Sequence, residues 1–326
     1  WEVMVFVERL GEAPFFIYGS EPDYFQRSMM NTWMKITHEA YKKFVGEYFG
    51  NGIEGIFTDE PKIHCAYHAH DDPFTTAWFG NLLRVFKESY GYDLVHYLPA
   101  LFTDFGENPG KVRRDFWRLV SREYQDRFLR RYHEWCRNNH IKLTGHLFLE
   151  EGLYANTIYQ ADFSKNMAHF DIPGTDHLGL ATETPYQINV IPPSITRTHG
   201  QKIVSSSAHI YGKQRVLSET FGCAGWGLSM ANMKWIVDWQ YTLGVNMLCP
   251  HAFYYSIAGV RKTDAPPSQF YQATWWKYYK HFADYVARLS FILSQGKHKA
   301  QIAMLYPITS FQSEWAVGTQ GMVDTF

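Results

Sequence analysis

Apolar and polar positions along this chain follow two periods that take turns. Compact apolar runs read as strands: Trp1 to Val7 (WEVMVFV), Ile53 to Thr58, Ile141 to His146, Phe170 to Gly174, Val216 to Ser218, Val245 to Cys249 and Gln301 to Leu305, the last stopped by Pro307. Between them the spacing is helical. Asn31 to Phe49 puts Trp33, Ile36, Ala40, Phe44 and Tyr48 on one face, and Asn51-Gly52 ends it. Arg113 to Cys136 is the clearest helix, with Phe116, Val120, Tyr124, Phe128 and Tyr132 in a stripe and Arg and Glu on the other side. Thr76 to Tyr90, Tyr159 to His169, Ser194 to Tyr211, Met230 to Leu243 and Phe270 to Leu293 complete the set. The segments HCAYHAHDDP and LPALFTDFGENPG read as surface loops.

Strand and helix alternate throughout, which implies a parallel sheet with crossover helices. A doubly wound sheet is the rival, but neither GxGxxG nor GxxxxGK[ST] follows any strand. Polar or charged residues mark the ends of nearly all strands, and in a barrel those ends share one rim. The expected fold is therefore an α/β (β/α)8 TIM barrel.

Composition narrows the function classes. The chain has 326 residues, 46% of them apolar, enough for a large core. A formal net charge of -1 argues against nucleic acid or an anionic membrane as partner. There is no stretch of 18 apolar residues, so no membrane-spanning helix is expected. Aromatics reach 17%; they serve a core, a cleft that stacks on sugar faces, or both. The 4 cysteines show no C-x-x-C spacing. The pattern begins in mid-strand at Trp1, so the chain reads as part of a longer protein.

Two strand ends carry carboxylates in the same grammar. GIFTDEP places Asp59 and Glu60 after one strand, with Pro61 stopping it; RVLSETFG places Glu219 at the end of another. Glycoside hydrolysis needs one carboxyl group to protonate the leaving oxygen and a second to attack or to activate water. A salt bridge to Arg or a helix N-cap is the structural alternative. His146, Glu150 and Glu151 in GHLFLEEG, Asp176 and His177 in GTDHLG, and Asn246 and His251 flank other strand ends as candidate sugar-positioning residues. Trp226, Tyr254 and Tyr255 sit in loops, where a stacking role competes with packing. The most metal-like cluster is His64, His68, His70, Asp71 and Asp72, bracketed by Pro61 and Pro73. Its His spacing suits a helix face better than a loop, so a solvated or substrate-facing loop is the expectation, with calcium through Asp71 and Asp72 as the metal alternative.

GIFTDEP, GHLFLEEG, GTDHL and above all SSSAHIYGKQRVLSETFG resemble the barrel domain of the large bacterial α-L-rhamnosidase-like glycoside hydrolases, from about Asn31 to about Leu305. The resemblance implies a multidomain, exported enzyme acting on plant or host polysaccharide, and some members use calcium near the sugar. It also implies a strand count. Barrel hydrolases of the largest clan carry the acid on strand four and the second carboxylate on strand seven. With Glu60 on strand four, Glu219 falls on strand seven, Trp1 to Val7 becomes strand three, and two strands lie upstream. Asp59-Glu60 stands where that clan has Asn-Glu. Residues 1–298 are then the barrel or most of it, and 299–326 its last strand or the start of a following domain.

Three readings follow. In the first, Glu60 is general acid, Glu219 is nucleophile or base, and Asp59, His146, Glu151, Asp176, His177, Trp226, Asn246, His251 and Tyr254 hold an oligosaccharide or polysaccharide. In the second, the His64 to Asp72 cluster makes a metal-dependent barrel hydrolase. In the third, the barrel binds sugar without catalysis.

Overall fold

A computed structural model of the chain describes residues 3–9, 22–64, 74–150, 152–180 and 198–319. The sheet has five strands: β1 Gly55–Thr58, β2 Lys142–Gly145, β3 Ile172–His177, β4 Leu217–Thr220 and β5 Met247–Pro250. They pair in sequence order, every pair parallel. Consecutive parallel strands joined by helical crossovers make a half-barrel, with all five C-terminal ends on one rim.

α1 Arg27–Trp33 and α2 Glu39–Val45 precede β1, joined by a π-helical turn over Met34–His38. α3 Leu82–Tyr90, α4 Pro109–Tyr124 and α5 Arg130–Asn138 lie between β1 and β2. α6 Gly152–Gln160 and α7 Phe163–Met167 connect β2 to β3, α8 Thr198–Ile210 precedes β4, and α9 Met230–Thr242 leads to β5. α10 Tyr279–Leu293 and α11 Ile308–Glu314 follow.

The core gathers on α4 and α5, which continue into each other through a π turn at Gln125–Leu129. Asn108 caps this helix by accepting from the Lys111 amide at 3.0 Å, and Pro109 sits where its missing N–H costs nothing. Phe116, Val120, Tyr124, Phe128 and Tyr132 are all buried, and Arg122 is exposed. Arg113 breaks the polar-outward pattern. It is buried, and its guanidinium donates to the carbonyls of Ala100 and Thr103 at 2.7 Å and of Glu314 at 3.2 Å. One side chain thus ties α11 to α4, and Phe311 and Trp315 fill the same core.

Two glycines let the strands approach closely. A Cβ on Gly145, whose φ is 120°, would stand 2.0 Å from the Thr58 carbonyl oxygen. One on Gly174 would stand 2.3 Å from the carbonyl oxygen of Gly145. Neither distance is tolerable for a side chain, so β1, β2 and β3 close on each other only because both positions lack one.

Several expected elements differ. Residues 3–7 of the expected first strand, Trp1 to Val7, have no regular structure, and Val3, Val5 and Val7 are exposed. Gln301–Leu305 is likewise irregular, with Ile302, Met304 and Leu305 in solvent. A compact apolar run makes a strand only where a neighbour offers its edge, and among the described residues none pairs with these runs. Before β1, Ile36, Phe44 and Tyr48 point outward, while Met30 and His38 are buried. The π turn adds a residue and rotates the stripe off its expected face. Tyr159–His169 divides into α6 and α7, the expected Phe270–Leu293 helix begins as α10 only at Tyr279, and β3 runs on through His177.

The aromatic stripe gives a stability test. Phe128 packs against Tyr24, Trp33, Tyr124 and Tyr132 at ring separations of 4.6, 5.9, 5.6 and 6.0 Å. Phe128→Ala is expected to cost about 3–5 kcal/mol in urea unfolding. A loss below about 1 kcal/mol would show that the stripe does not carry the core.

Candidate active site

The carboxylates expected at strand ends meet at one rim, and backbone chemistry explains why. Thr58, the last residue of β1, pairs with Gly145, the last of β2. Asp59 and Glu60 leave β1 there. Glu60 has φ 48°, a left-handed conformation unusual for a side-chain-bearing residue, and Pro61 follows. This turn is clamped from outside the strand. Gln160 of α6 donates to the carbonyl of Phe148 at 2.7 Å and of Pro61 at 3.4 Å, and the Ile63 amide donates to the Tyr159 carbonyl at 2.9 Å.

His146 follows Gly145, and its amide donates to the Thr58 carbonyl at 3.1 Å. The imidazole is buried, its side chain 1% exposed. Nε2 lies 2.8 Å from Glu219 Oε2 and 3.5 Å from Asp59 Oδ1; Nδ1 lies 3.7 Å from Glu150 Oε1. Glu219 on β4 sits directly opposite Asp176 on β3 and Cys249 on β5. Asp176 Oδ1 accepts from the His177 amide at 2.7 Å. His251, just beyond β5, donates its amide to the Thr220 carbonyl at 2.8 Å, and Gln269 donates to the His251 carbonyl at 3.0 Å.

Crowding acids in a partly dry rim raises their proton affinity. Burial, helped by the charges of Asp59 and Glu219, pushes Glu60 up to about 7 against the pull of His146 and Lys62. Burial and the charges of Glu219 and Glu60 likewise push Asp176 up to about 7. For His146 burial acts in the opposite sense, but the hydrogen bond to Glu219 and the charges of Glu150, Asp176 and Glu219 outweigh it and lift the imidazole to about 10. Near neutrality the rim therefore holds a cationic His146 among carboxyl groups, two of which are poised between their acid and base forms.

Of the expected residues, the structure groups Asp59, Glu60, His146, Asp176 and Glu219, with His251 beside them. Among the described residues Glu219 is paired with His146, and no arginine contact to it is found. His177 is buried against the Trp239 ring at 5.2 Å, behind Asp176. Tyr254 spends its hydroxyl on the carbonyls of Asp264 and Ala265 at 2.6 and 3.1 Å, with its ring 6.1 Å from that of His251. Trp226 donates to the Lys262 carbonyl at 2.7 Å and keeps a ring face exposed. Asn246 does not belong to the site. It precedes β5, at the opposite end of the sheet, where its side chain accepts from the Val216 amide at 2.9 Å and donates to the Gln214 carbonyl at 2.9 Å. Every group it has is given to backbone. Glu151, His68, His70, Asp71 and Asp72 lie outside the described residues; His64 is buried, with Nε2 2.9 Å from Thr75 Oγ1.

Three features lay beyond the sequence reading: the burial of Glu150 beside His146, and the two amide side chains of α6, Asn156 and Gln160. Asn156 donates to the Glu150 carbonyl at 2.6 Å. The available signal was a pair of amides four residues apart within an otherwise apolar GLYANTIYQ.

Among the described residues Asp59, His146 and Glu219, two carboxylates and an imidazole, bring one donor atom each within 4.8 Å of one another, and in this arrangement His146 and Glu219 are hydrogen-bonded at 2.8 Å.

A family model described as alpha-L-rhamnosidase matches residues 13–315. A curated protein of Formosa agariphila named "Putative beta-glucuronidase" is 25% identical over 242 residues, covering 70% of this chain and 18% of that protein. Among solved structures, a rhamnosidase from Novosphingobium sp. PP1Y superposes with a TM-score of 0.62 at 20% identity, covering 88% of this chain and 26% of that one. The chain thus spans 18% and 26% of the length of these two relatives, and the structural match speaks to the fold.

The cluster makes stability depend on pH. Glu60 and Asp176 have raised folded values, so their contribution is present at acid pH and lost toward about 7; that of His146 is full below its ordinary 6.5 and lost as pH rises toward about 10. Melting temperature is expected to fall from about pH 7 to about pH 9, and His146→Gln should flatten that slope. An equal slope in the variant would remove His146 as its source.

Proposed function

The chain belongs to the α-L-rhamnosidase family of glycoside hydrolases, and from that premise we propose that it removes terminal α-L-rhamnose from oligosaccharide or polysaccharide by a two-carboxylate mechanism. The observation that carries the reading is the contrast between two carboxyl groups on one rim. Glu60 is held near a neutral value by burial, as a general acid must be. Glu219 is hydrogen-bonded at 2.8 Å to His146, a charge-assisted contact of the kind a carboxylate accepts. Glu60 would protonate the departing glycosidic oxygen. Glu219 would attack the anomeric carbon or draw a proton from water, and the anomer released, read by proton NMR, distinguishes retention from inversion.

A neutral sugar suits this rim better than the uronic acid named for the Formosa relative. A uronate needs a cation to receive its carboxylate. Among the described residues His146 is committed to Glu219, and Lys62 lies over the Phe148 ring at 5.5 Å. Asp59, Glu60 and Asp176, also at this rim, are acids that would repel it.

We also propose that the half-barrel is part of a complete (β/α)8 unit. Among the described residues β1 and β5 each pair on one side only, and Phe57 on β1 and Phe291 and Ile292 on α10 are exposed. Further strands of a longer polypeptide would cover such edges. A setting outside the cytoplasm fits a polymeric substrate; no helix of the described residues is long and apolar enough to cross a membrane.

Assayed in the full-length polypeptide, Glu219→Gln is expected to keep rhamnose binding and lose about 10²–10⁴-fold in turnover. Glu60→Gln should lose most on substrates with poor leaving groups. In the wild type, kcat/KM should decline as pH rises through about 7, where Glu60 gives up its proton. Normal turnover by Glu219→Gln, or rhamnose binding by the wild type without any turnover, would sink the mechanism.

A further inference from the structure

We propose that Glu150, His146 and Glu219 form a buried relay in which Glu150 and His146 are positioning residues that keep Glu219 ionised and aimed into the cleft. The inference rests on reading Glu219 as the second carboxylate, and it gives His146 and Glu150 a role in that machinery other than holding the sugar.

The geometry starts with the backbone. Gly145 brings β2 against β1, and the His146 amide is fixed on the Thr58 carbonyl. The chain then turns sharply through Leu149, whose φ is 50°, so that Glu150 comes back to the same ring. Asn156 fixes the turn by donating to the Glu150 carbonyl at 2.6 Å. The Glu150 side chain is 2% exposed and its Oε1 is 3.7 Å from Nδ1, while Nε2 is 2.8 Å from Glu219. A ring with a carboxylate facing each nitrogen is best served by an imidazolium, which has a proton on both. Glu219 spends Oε2 on this contact and its side chain is 16% exposed, so it is not wholly enclosed by its partner.

The relay settles how protons are distributed. His146 is faced by Asp59 after β1, by Glu150, by Asp176 on β3 and by Glu219 on β4, with the Phe57 ring edge-on at 5.5 Å. Acids this close compete for few protons, and each one's ionisation opposes the next. The carboxylate in direct contact with the cation is the one whose negative charge is favoured most. That contact belongs to Glu219, so Glu60 and Asp176 are left to hold protons.

The test has two arms. In the first, the imidazole of His146 is followed by NMR in histidine-labelled protein, without substrate. It should stay protonated on both nitrogens to about pH 8 and lose that proton at lower pH in Glu219→Gln. A ring neutral at about pH 7 in the wild type would overturn the relay. In the second arm, kcat/KM for an aryl α-L-rhamnoside is measured against pH in the full-length polypeptide. His146→Gln should move the acidic limb up by about one unit, with a roughly tenfold loss at low pH that recovers as pH rises. Glu150→Gln, which leaves the His146–Glu219 contact in place, should move the same limb in the same direction and serves if His146→Gln does not fold. A loss equal at every pH, with the limb unmoved, would make both residues merely structural and refute the proposal. Failure of the underlying reading looks different: Glu219→Gln would then turn over normally, whatever the NMR shows.

Discussion

The 2.8 Å contact between His146 Nε2 and Glu219 Oε2 joins the end of β2 to the end of β4 across the strand between them. Much of the rim is arranged so that this contact can exist. Two buried ionisable groups are tolerable only as a pair, because either one left alone would be an uncompensated charge. The pair in turn needs β2 and β4 at a fixed separation, and β3 between them sets it. The glycines at 145 and 174 are part of the same constraint. They let strand ends approach until an imidazole on one reaches a carboxylate on another, and a methyl group at either position would push them apart.

The loops beyond the strands are held by carboxamides. Gln160 grips the loops after β1 and β2 together, Asn156 grips the turn that returns Glu150, and Gln269 grips the carbonyl of His251. An amide suits this work because it satisfies a buried carbonyl without adding charge to an already crowded field. A lysine or arginine in the same places would compete with His146 for the carboxylates and disturb the distribution of protons.

Much of this was legible in the sequence. The five strands, the stripe on α4 and α5, and the two strand-end carboxylates follow from period and from polar residues at strand ends, since a buried parallel strand must be apolar and its rim need not be. What sequence could not supply was position along the barrel axis. Asn246 and Glu219 both occur beside apolar runs, and only strand register shows that one lies at the foot of β5 and the other at the head of β4. Nor does period register a π turn, which rotated the face holding Ile36 and Phe44 outward. Val3 to Val7 and Gln301 to Leu305 failed for a different reason. Strand formation is a property of a pair, and their sequence carries no information about whether a partner edge is at hand.

The two ends of the sheet show what distinguishes a working rim from a structural one. At the foot, Asn246 bonds to the backbone of Val216 and Gln214, Arg215 donates to the carbonyls of Asn246 and Ser290, and Asp171 accepts from the Leu143 amide. These side chains close backbone groups near the starts of the strands, and Asp171 is held below its ordinary value, against burial, by hydrogen bonds from His133 and from the Leu143 amide. At the head, the side chains face one another. Burial first, and the charges of neighbouring acids second, raise the proton affinity of Glu60 and Asp176; for His146 the hydrogen bond to Glu219 and the surrounding acids outweigh the opposing effect of burial. Polar groups that served only the fold would have been paired off as at the foot. Acids gathered around one imidazole keep protons within reach of the cleft, and proton transfer at a glycosidic oxygen is the chemistry that arrangement supports.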